Sequence, residues 1–193
     1  NGLLQSLTDA AGRVVRVETR QDVQAISKLT LPDGRSVQYD YQDGRLLKVQ
    51  DARRYTWQYR YDSAGRLDQV QDARGKVDVE NTYANGRVAR QKDASGAVTT
   101  FEWDADAEVA TTTDPDGVVS RDGYRKNVLL WTRNGNGDTV TYRYDERLNG
   151  NLVVDPEGNQ SGALHDANGN PVERQAPAPF DWTERNAFDA GNN

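Results

Sequence analysis

The sequence contains no cysteine, no methionine and a single histidine. Without cysteine, disulfide bonds, thiolate metal sites and cysteine nucleophiles are excluded. It also has no run of about 18 apolar residues, so it predicts no membrane-spanning helix. The chain begins at Asn1 in the middle of a repeating pattern, without an initiator methionine or a visible signal peptide. We therefore expect it to be a piece of a longer protein.

Apolar residues are also scarce, and acidic residues outnumber basic ones. Hydrophobic residues make up 35% of the 193 positions, which is low for a thick two-layer core. The nine tyrosines, four tryptophans and three phenylalanines nevertheless argue against a disordered chain. A nucleic-acid-binding domain normally carries a basic stripe, whereas this chain has 30 acidic and 24 basic residues and a formal charge of −6. This balance argues against a nucleic-acid partner.

What the sequence does contain is a tandem repeat of 20 to 22 residues, whose clearest unit, segment 61–67, reads Tyr-Asp-Ser-Ala-Gly-Arg-Leu. The units begin at Tyr41, Tyr61, Tyr83, Trp103, Tyr124 and Tyr144, and His165 begins a weaker one. A four-residue pattern that opens with Asp or Asn and closes with Gly also recurs: Asp62 to Gly65, Asp72 to Gly75, Asp93 to Gly96, Asp114 to Gly117, Asn134 to Gly137 and Asp155 to Gly158. Two interleaved patterns of this regularity indicate a repeat protein.

The four-residue pattern predicts tight turns. Asp or Asn at the first position accepts hydrogen bonds from backbone N–H groups further along, and Gly at the last position takes a positive φ without a Cβ clash. Two turns about 10 residues apart leave strands of about 6 residues, so each repeat is predicted to be a β-hairpin. The predicted fold is all-β, with tandem antiparallel hairpins of about 21 residues that form a twisted ribbon or spiral.

Alternation along the strands predicts which face each side chain occupies. In segment 57–61 the aromatic residues Trp57 and Tyr59 alternate with Gln58 and Arg60. A period of two places the aromatic side chains on one face of the sheet and the polar ones on the other. The same alternation recurs in segments 37–41, 99–103 and 140–144.

The pattern weakens at both ends and divides the chain into three parts. Residues 1–30 are predicted to form an atypical first repeat with an irregular connection, and residues 31–172 the repeat array. Residues 173–193, which contain prolines, are predicted to be a linker or tail. Within the array, Asp122 and Ser161 stand on the face where apolar side chains are expected.

The units resemble the YD repeats of the Rhs proteins, and the resemblance covers residues 3–172. This family includes bacterial polymorphic toxins, the cocoon-forming subunits of insecticidal toxin complexes and animal teneurins. The resemblance implies a β-ribbon that winds into a hollow shell, with the rest of the shell and an enclosed C-terminal effector domain as partners. It also implies a bacterial protein that is secreted or lies at the cell surface.

Toxins of this family carry an aspartate autoprotease around the sequence Asp-Pro-x-Gly-Leu. Here segment 114–117 reads Asp-Pro-Asp-Gly and is followed by Val118, and segment 155–158 reads Asp-Pro-Glu-Gly and is followed by Asn159. Both segments are in phase with the other turns. We therefore predict plain turns, with no protease role.

No residue is predicted to be catalytic, no cofactor is expected, and the chain by itself is not expected to be an enzyme. His165 could act with Ser161 or Asp166, but it occupies the aromatic position of a decayed repeat, and a structural role is predicted. The carboxylates at Asp104, Asp106, Glu108, Asp114 and Asp116 match neither a glycosidase pair nor a full calcium loop. They are predicted to be solvated, with weak cation binding as the alternative and no metal site assigned.

An arginine row offers two interpretations. Each of Arg13, Arg35, Arg45, Arg66 and Arg87 follows a turn glycine. Each arginine can pair with a turn Asp, or the row can form a ladder for a sulfated or uronic polysaccharide, since guanidinium matches sulfate and carboxylate. In the second case Trp57 and Tyr59 would stack on sugar rings. The leading hypothesis is a structural shell wall, and the alternative is a glycan-binding surface formed by Trp57, Tyr59, Arg45, Arg66 and Arg87.

Overall fold

The computed structural model describes residues 3–189, and every helix or strand within that range is a β-strand. The prediction of an all-β fold is confirmed. The chain divides into two compact units, of which the first ends at Val98 and the second begins at Thr99.

The first unit contains nine strands: β1 (Ser6–Thr8), β2 (Val14–Arg20), β3 (Ala25–Thr30), β4 (Ser36–Gln42), β5 (Arg45–Gln50), β6 (Thr56–Tyr61), β7 (Leu67–Gln71), β8 (Val77–Ala84) and β9 (Arg87–Asp93). Each strand pairs antiparallel with the next one along the chain. The unit is therefore a sheet of consecutive hairpins.

The second unit has the same organisation and starts at the boundary with β10 (Val98–Asp104). It continues with β11 (Val109–Thr113), β12 (Val119–Arg125), β13 (Val128–Arg133), β14 (Thr139–Tyr144), β15 (Gly150–Val154), β16 (Gln160–His165), β17 (Pro171–Gln175) and β18 (Thr183–Arg185). Its strands also pair antiparallel in chain order.

Two kinds of turn recur between the strands. In the first, the N–H of Gly65 donates to the Asp62 carbonyl at 2.9 Å, and Oδ1 of Asp62 accepts from the backbone N–H groups of Ala64 and Arg66 at 2.9 Å each. The second kind is a two-residue turn such as Asn85-Gly86, where φ is +50° and +78°. Positive φ at both central residues matches the right-handed twist of the strands, which explains the preference for Asn-Gly.

The first kind of turn occupies every predicted turn position. Its closing hydrogen bond runs from the N–H of the fourth residue to the carbonyl of the first. It recurs from Gly75 to Asp72, from Gly96 to Asp93, from Gly117 to Asp114, from Gly137 to Asn134 and from Gly158 to Asp155. Each of these glycines has a positive φ, as the sequence predicted. The Asp-Pro segments at 114–117 and 155–158 are thus turns of the ordinary kind.

A β-bulge recurs beside the repeat aromatics, and the sequence did not predict it. In the β4–β5 hairpin Asp40 faces Lys48, but Tyr41 faces Leu46, so Leu47 is an extra residue on β5. The extra residues in the seven hairpins with this bulge are Ser27, Leu47, Asp68, Ala89, Leu130, Asn151 and Val172. A bulge re-aims the side chains that follow it and leaves backbone groups out of the ladder.

Each unit is a single layer without a covered core. On β6, Trp57, Tyr59 and Tyr61 are half-buried while Gln58 and Arg60 are exposed, as the alternation predicted. We call the face that carries the repeat aromatics the aromatic face. Among residues 3–189, Val17 is the single hydrophobic residue that is buried, with 7% of its surface exposed. Packing therefore comes from neighbours within the sheet rather than from a second layer.

Two segments near the ends of the described range are more regular than the sequence pattern indicated. The expected irregular connection before residue 31 is instead the β2–β3 hairpin, which carries the same bulge at Ser27. The expected C-terminal linker contributes β18, which pairs with β17 from Glu173 to Gln175. Backbone hydrogen bonds and turns hold these segments, although their side chains depart from the repeat pattern. The sequence expectation differed because it depended on the aromatic positions.

We predict that Gly123→Ala lowers the free energy of unfolding by about 1–3 kcal/mol, a typical cost of overpacking. Gly123 is buried opposite Trp131, and a Cβ on it would lie 2.0 Å from the indole ring. The control is Gly150→Ala, because a Cβ at Gly150 would meet nothing within 4 Å. Urea unfolding should show a change within about 0.5 kcal/mol for the control. Equal effects of the two substitutions would contradict the packing described for Trp131.

Candidate functional site

The repeat motif forms a contact between neighbouring hairpins, beginning with the pair of Asp62 and Arg66. Nε of Arg66 donates to Oδ2 of Asp62 at 2.8 Å, and Nη2 lies 2.6 Å from the same oxygen. The backbone N–H of Arg66, followed by its guanidinium, lowers the pKa of Asp62 below its ordinary value. The carboxylate therefore closes the turn and also fixes the direction of the arginine side chain.

The arginine of one repeat lies over the tyrosine ring of the next. The guanidinium carbon of Arg66 is 4.3 Å from the centroid of the Tyr83 ring, and that of Arg45 is 5.8 Å from Tyr61. A Cβ at Gly65 would lie 2.1 Å from Nη2 of Arg45, so the turn glycine also leaves space for the arginine of the preceding repeat. Cation–π contacts of this kind contribute about 0.5–1 kcal/mol at exposed sites.

The hydroxyl of the same tyrosine bonds to the preceding repeat. Tyr61 donates to the backbone carbonyl of Leu46 at 2.9 Å, and Tyr83 donates to that of Leu67 at 2.7 Å. Tyr41 makes the equivalent bond to Ile26 at 3.0 Å. In each case the acceptor is the residue just before the extra residue of a bulge. A side-chain hydroxyl thus serves as the donor to this carbonyl in place of a ladder N–H.

The ends of the ladders explain why these carbonyls are available. The β5–β6 ladder ends at the pair of Lys48 and Gln58, two residues beyond Leu46. The β7–β8 ladder ends in the same way at Gln69 and Glu80, beyond Leu67. One contact therefore involves the Tyr, Asp, Gly and Arg of the motif. The Asp carboxylate orients the guanidinium, and the guanidinium lies over the tyrosine ring of the next repeat.

The second unit keeps the turns and changes the side chains. Asn149, Asn159 and Asn170 take the place of the arginine, and their Nδ2 atoms donate to Asp145, Asp155 and Asp166 at 2.9, 2.8 and 2.9 Å. Trp103 lacks a hydroxyl, and its ring instead lies 5.9 Å from that of Tyr124 at an angle of 60°. Tyr144 is half-buried on its strand.

Phe188 stands at the register position of a repeat aromatic, which the sequence pattern did not reveal. Arg185 pairs with Glu173 as Glu80 pairs with Gln69. Phe188 lies three residues after Arg185, and Tyr83 lies three residues after Glu80. Asp189 follows Phe188, so the pair corresponds to the Tyr-Asp start of a repeat. The longer connection before β18 makes this step 23 residues from His165, outside the usual spacing. The pairing register of β17 and β18, rather than the spacing along the sequence, identifies the position of Phe188.

Most arginines of the row contact a carboxylate or a tyrosine ring within the repeats. Arg13 pairs with Asp9 and Arg35 with Asp33, each at 2.7 Å. Arg45 and Arg66 lie over tyrosine rings as described, and Arg87 is exposed at the start of β9. Trp57 and Tyr59 are half-buried on the aromatic face, on the opposite side of β6 from Arg60. A ladder for polysaccharide binding stays a prediction.

The acidic residues considered for a glycosidase pair or a calcium site lie in separate turns. Oδ1 of Asp104 accepts from the N–H of Asp106 at 3.0 Å, and Oδ1 of Asp114 accepts from that of Asp116 at 3.0 Å. Glu108 accepts from the N–H of Lys126 at 3.0 Å. In the part of the chain that the structure describes, no group of three or more His, Asp or Glu side chains is placed to hold a metal ion.

His165 lies half-buried on β16 and lines a shallow cavity of about 410 Å³ with Asp145 and Asp166. Its Nδ1 atom is buried and has no hydrogen-bond partner among the described residues. Both carboxylates are bonded to their own turns by Asn149 and Asn170. Ser161 lies four residues from His165 on the same strand. Among the described residues, no nucleophile and base are therefore brought together around this histidine.

We predict that Tyr61→Phe lowers the free energy of unfolding by about 1 kcal/mol, because the half-buried carbonyl of Leu46 loses its hydrogen bond. Tyr55→Phe is the control, since 53% of Tyr55 is exposed. Chemical unfolding followed by far-UV circular dichroism measures both variants. An unchanged stability of Tyr61→Phe would contradict a structural role for the hydroxyl.

We also predict that the chain loses stability in acid through its turn carboxylates. The pKa values of Asp9, Asp62, Asp93 and Asp155 lie below the ordinary value of 3.8, mainly because turn N–H groups and neighbouring side chains bond the ionised form. Groups whose pKa is lower in the folded state contribute stability that is complete above the unfolded value and is lost as pH falls through the folded value. The thermal midpoint should therefore be level near neutral pH and should fall below about pH 4.

The matched variant is Asp93→Asn, because Asn134 already forms the same turn without a charge. This variant should fold at neutral pH and lose less of its thermal midpoint on acidification than the parent chain. Identical pH profiles would show that the turn carboxylates do not cause the acid sensitivity.

None of the described residues forms a helix long and apolar enough to cross a membrane. Residues 42–77 and 83–119 match the family described as RHS Repeat. No curated protein gives a significant match to the sequence.

Several solved structures share the fold. The Photorhabdus luminescens Tc holotoxin pore with a mutated TccC3 matches with a TM-score of 0.65 and 15% identity over 90% of this chain. TcdB2-TccC3 without its hypervariable C-terminal region matches with a TM-score of 0.68 and 16% identity over 94%. TcdB2-TccC3-Cdc42 matches with a TM-score of 0.66 and 14% identity over 92%. This chain spans 12% of the length of each of those chains. The two matched segments therefore carry RHS repeats, and the sheet of hairpins that contains them has the fold of these Tc structures.

Proposed function

We propose that this chain is a wall segment of an Rhs-type shell, which encloses or displays an effector domain. Further repeats of a longer protein would complete the wall. The chain itself would have a structural role and no catalytic one. Its partners would be the rest of the shell and a C-terminal effector domain, outside the cell or at its surface.

The observation that carries the proposal is the uncovered aromatic face. Trp57, Tyr59 and Tyr61 remain half-buried although they are the largest apolar side chains of their strand. An apolar sheet face is normally packed against another layer. In a shell wall one face can point to an enclosed polypeptide or to further repeats, so a single layer is sufficient. The contacts between repeats supply the stability that a core would otherwise provide.

The likeness to much longer chains supports the same proposal. Each of the three Tc structures contains a region of this fold within a chain about eight times longer, because the match covers 12% of it. Those structures are a holotoxin pore and TcdB2-TccC3 assemblies. We infer a similar context for this chain, as part of a secreted toxin component.

A polysaccharide surface is the weaker candidate. Arg13, Arg35 and Arg66 are bound to carboxylates within the repeats, and such pairing reduces the positive field that a sulfated or uronic chain would meet. The guanidinium of Arg45 is similarly engaged by the Tyr61 ring. These contacts favour a role as a shell wall over polysaccharide binding.

The test is made on the gene product that carries this chain, with Tyr59→Lys as the variant. A lysine on the aromatic face would place a charge against the enclosed polypeptide, where its desolvation is costly. We expect the downstream domain to be cut by protease about tenfold faster than in the parent protein, as a locally opened wall allows. Limited proteolysis followed by mass spectrometry measures the rate.

The matched control is Gln58→Lys, which places the same charge on the exposed opposite face of β6. It should leave the downstream domain protected. If the downstream domain of the parent protein is cut as fast as a free domain, enclosure by the wall is ruled out. A downstream domain equally protected in both variants would contradict an inward aromatic face.

A further inference from the structure

One position in each repeat, two residues before the repeat aromatic, holds a large ring in most hairpins. We call it the inner position, and it is occupied by Tyr39, Tyr59, Phe101 and Tyr142 in four of the repeats. Two repeats have a polar residue there instead, Asn81 and Asp122. A polar residue at a position where the fold expects a ring lowers stability, unless it finds a partner or serves a function.

Asn81 finds partners inside its own sheet. Its Nδ2 atom donates to the carbonyl of Leu67 at 3.1 Å, and its Oδ1 atom accepts from Nε2 of Gln91 at 2.9 Å. The side chain therefore adds a second hydrogen bond to the carbonyl that Tyr83 also binds. This substitution is explained by the fold.

Asp122 lacks such partners. Within residues 3–189 its half-buried carboxylate receives no hydrogen bond and forms no salt bridge. Its direct neighbours across the sheet are Ala110 on β11 and Thr132 on β13, both small. Opposite residues of this kind have Cβ atoms about 4.5–5.5 Å apart. The carboxylate thus lies in a notch of the aromatic face, which we call the Asp122 notch and define by Ala110, Asp122 and Thr132.

Aromatic rings form one side of the notch. Tyr124 is two residues from Asp122 on the same face of β12, and Trp103 lies opposite Ala110 in the same row across the sheet. The two rings are 5.9 Å apart. Arg121 and Arg133 are close in sequence but pair with each other on the opposite face, so neither guanidinium faces the carboxylate.

We propose that the Asp122 notch binds an arginine side chain of a polypeptide that faces this sheet. This inference rests on the proposed function, which supplies a polypeptide on the aromatic face. Guanidinium satisfies a carboxylate through paired N–H donors and stacks on aromatic rings, whereas ammonium does so less well. The chain already contains this combination, since Arg66 bonds to Asp62 and lies 4.3 Å from the Tyr83 ring centroid.

The test is a titration of the isotope-labelled 193-residue chain with acetyl-Leu-Arg-Leu-amide, followed by NMR. The backbone amides of Asp122 and Tyr124 and the indole N–H of Trp103 should shift and saturate. The peptide with citrulline in place of arginine has nearly the same shape without the charge. Its affinity should be lower by about tenfold or more, because a charge-assisted hydrogen bond is lost.

Asp122→Asn should lose affinity for the arginine peptide to the same extent. Asn81 shows that the inner position of a repeat tolerates asparagine, and an unchanged circular dichroism spectrum checks the fold. Glu102→Gln is the matched control, because it removes a carboxylate from the exposed opposite face of β10 and should leave binding unchanged. Equal binding by Asp122→Asn, equal binding of the citrulline peptide, or shifts centred on Glu102 would each overturn the proposal.

A second variant separates function from folding. Asp122→Tyr introduces the residue that Tyr59 and Tyr142 provide in other repeats, so it should raise the thermal midpoint while it abolishes peptide binding. A lower midpoint would show that Asp122 serves the fold and would contradict the proposal. The titration requires no assembled shell. Failure of the arginine peptide to bind would therefore leave the protease test of the wall unaffected.

Discussion

The hydrogen bond from a tyrosine hydroxyl to the preceding repeat links the local motif to the sheet. The Leu46 and Leu67 carbonyls lie beyond the ends of the β5–β6 and β7–β8 ladders, and Tyr61 and Tyr83 supply the missing donors. Each tyrosine is then in position to receive the arginine of the repeat before it.

This arrangement explains how a chain with so few apolar residues forms a stable sheet. Within residues 3–189 only Val17 among the hydrophobic residues is buried, so burial of a shared core contributes little. Stability instead comes from the antiparallel ladders, the bonded turns and the contacts of each repeat with its two neighbours. Such a protein behaves approximately as a sum of local terms, as other repeat proteins do.

Much of the fold could be predicted from the sequence because turns and alternation are local properties. Asp62 and Gly65 are sufficient to indicate a turn, and Trp57 and Tyr59 to indicate a face. The bulge at Leu47 depends on pairing between strands, which no single segment reveals. The role of the Tyr61 hydroxyl depends on where the β5–β6 ladder ends, so it too was beyond the sequence. Phe188 was missed because the connection before β18 is longer than the usual spacing allows.

The contacts of the candidate site could also be predicted only in part from the sequence. The pairing of turn Asp with arginine was one of two interpretations of the arginine row, and the structure realises it at Arg13, Arg35 and Arg66. The stacking of Arg66 on the next repeat required coordinates, since it joins residues 17 positions apart. Asp122 was recognised in the sequence as a departure from the apolar pattern. Its meaning depends on the small neighbours Ala110 and Thr132, which only the strand register identifies.

The bond between each tyrosine and the preceding repeat also bears on how such arrays evolve. Because Tyr61 requires only a carbonyl 15 residues earlier, a newly duplicated unit brings its own donor and offers its own acceptor. Recombination in phase between two units that both carry this tyrosine would therefore preserve its hydrogen bond on both sides of the junction. A genome can lengthen or shorten the array by whole repeats without compensating substitutions elsewhere, and family members of very different size can arise by this route.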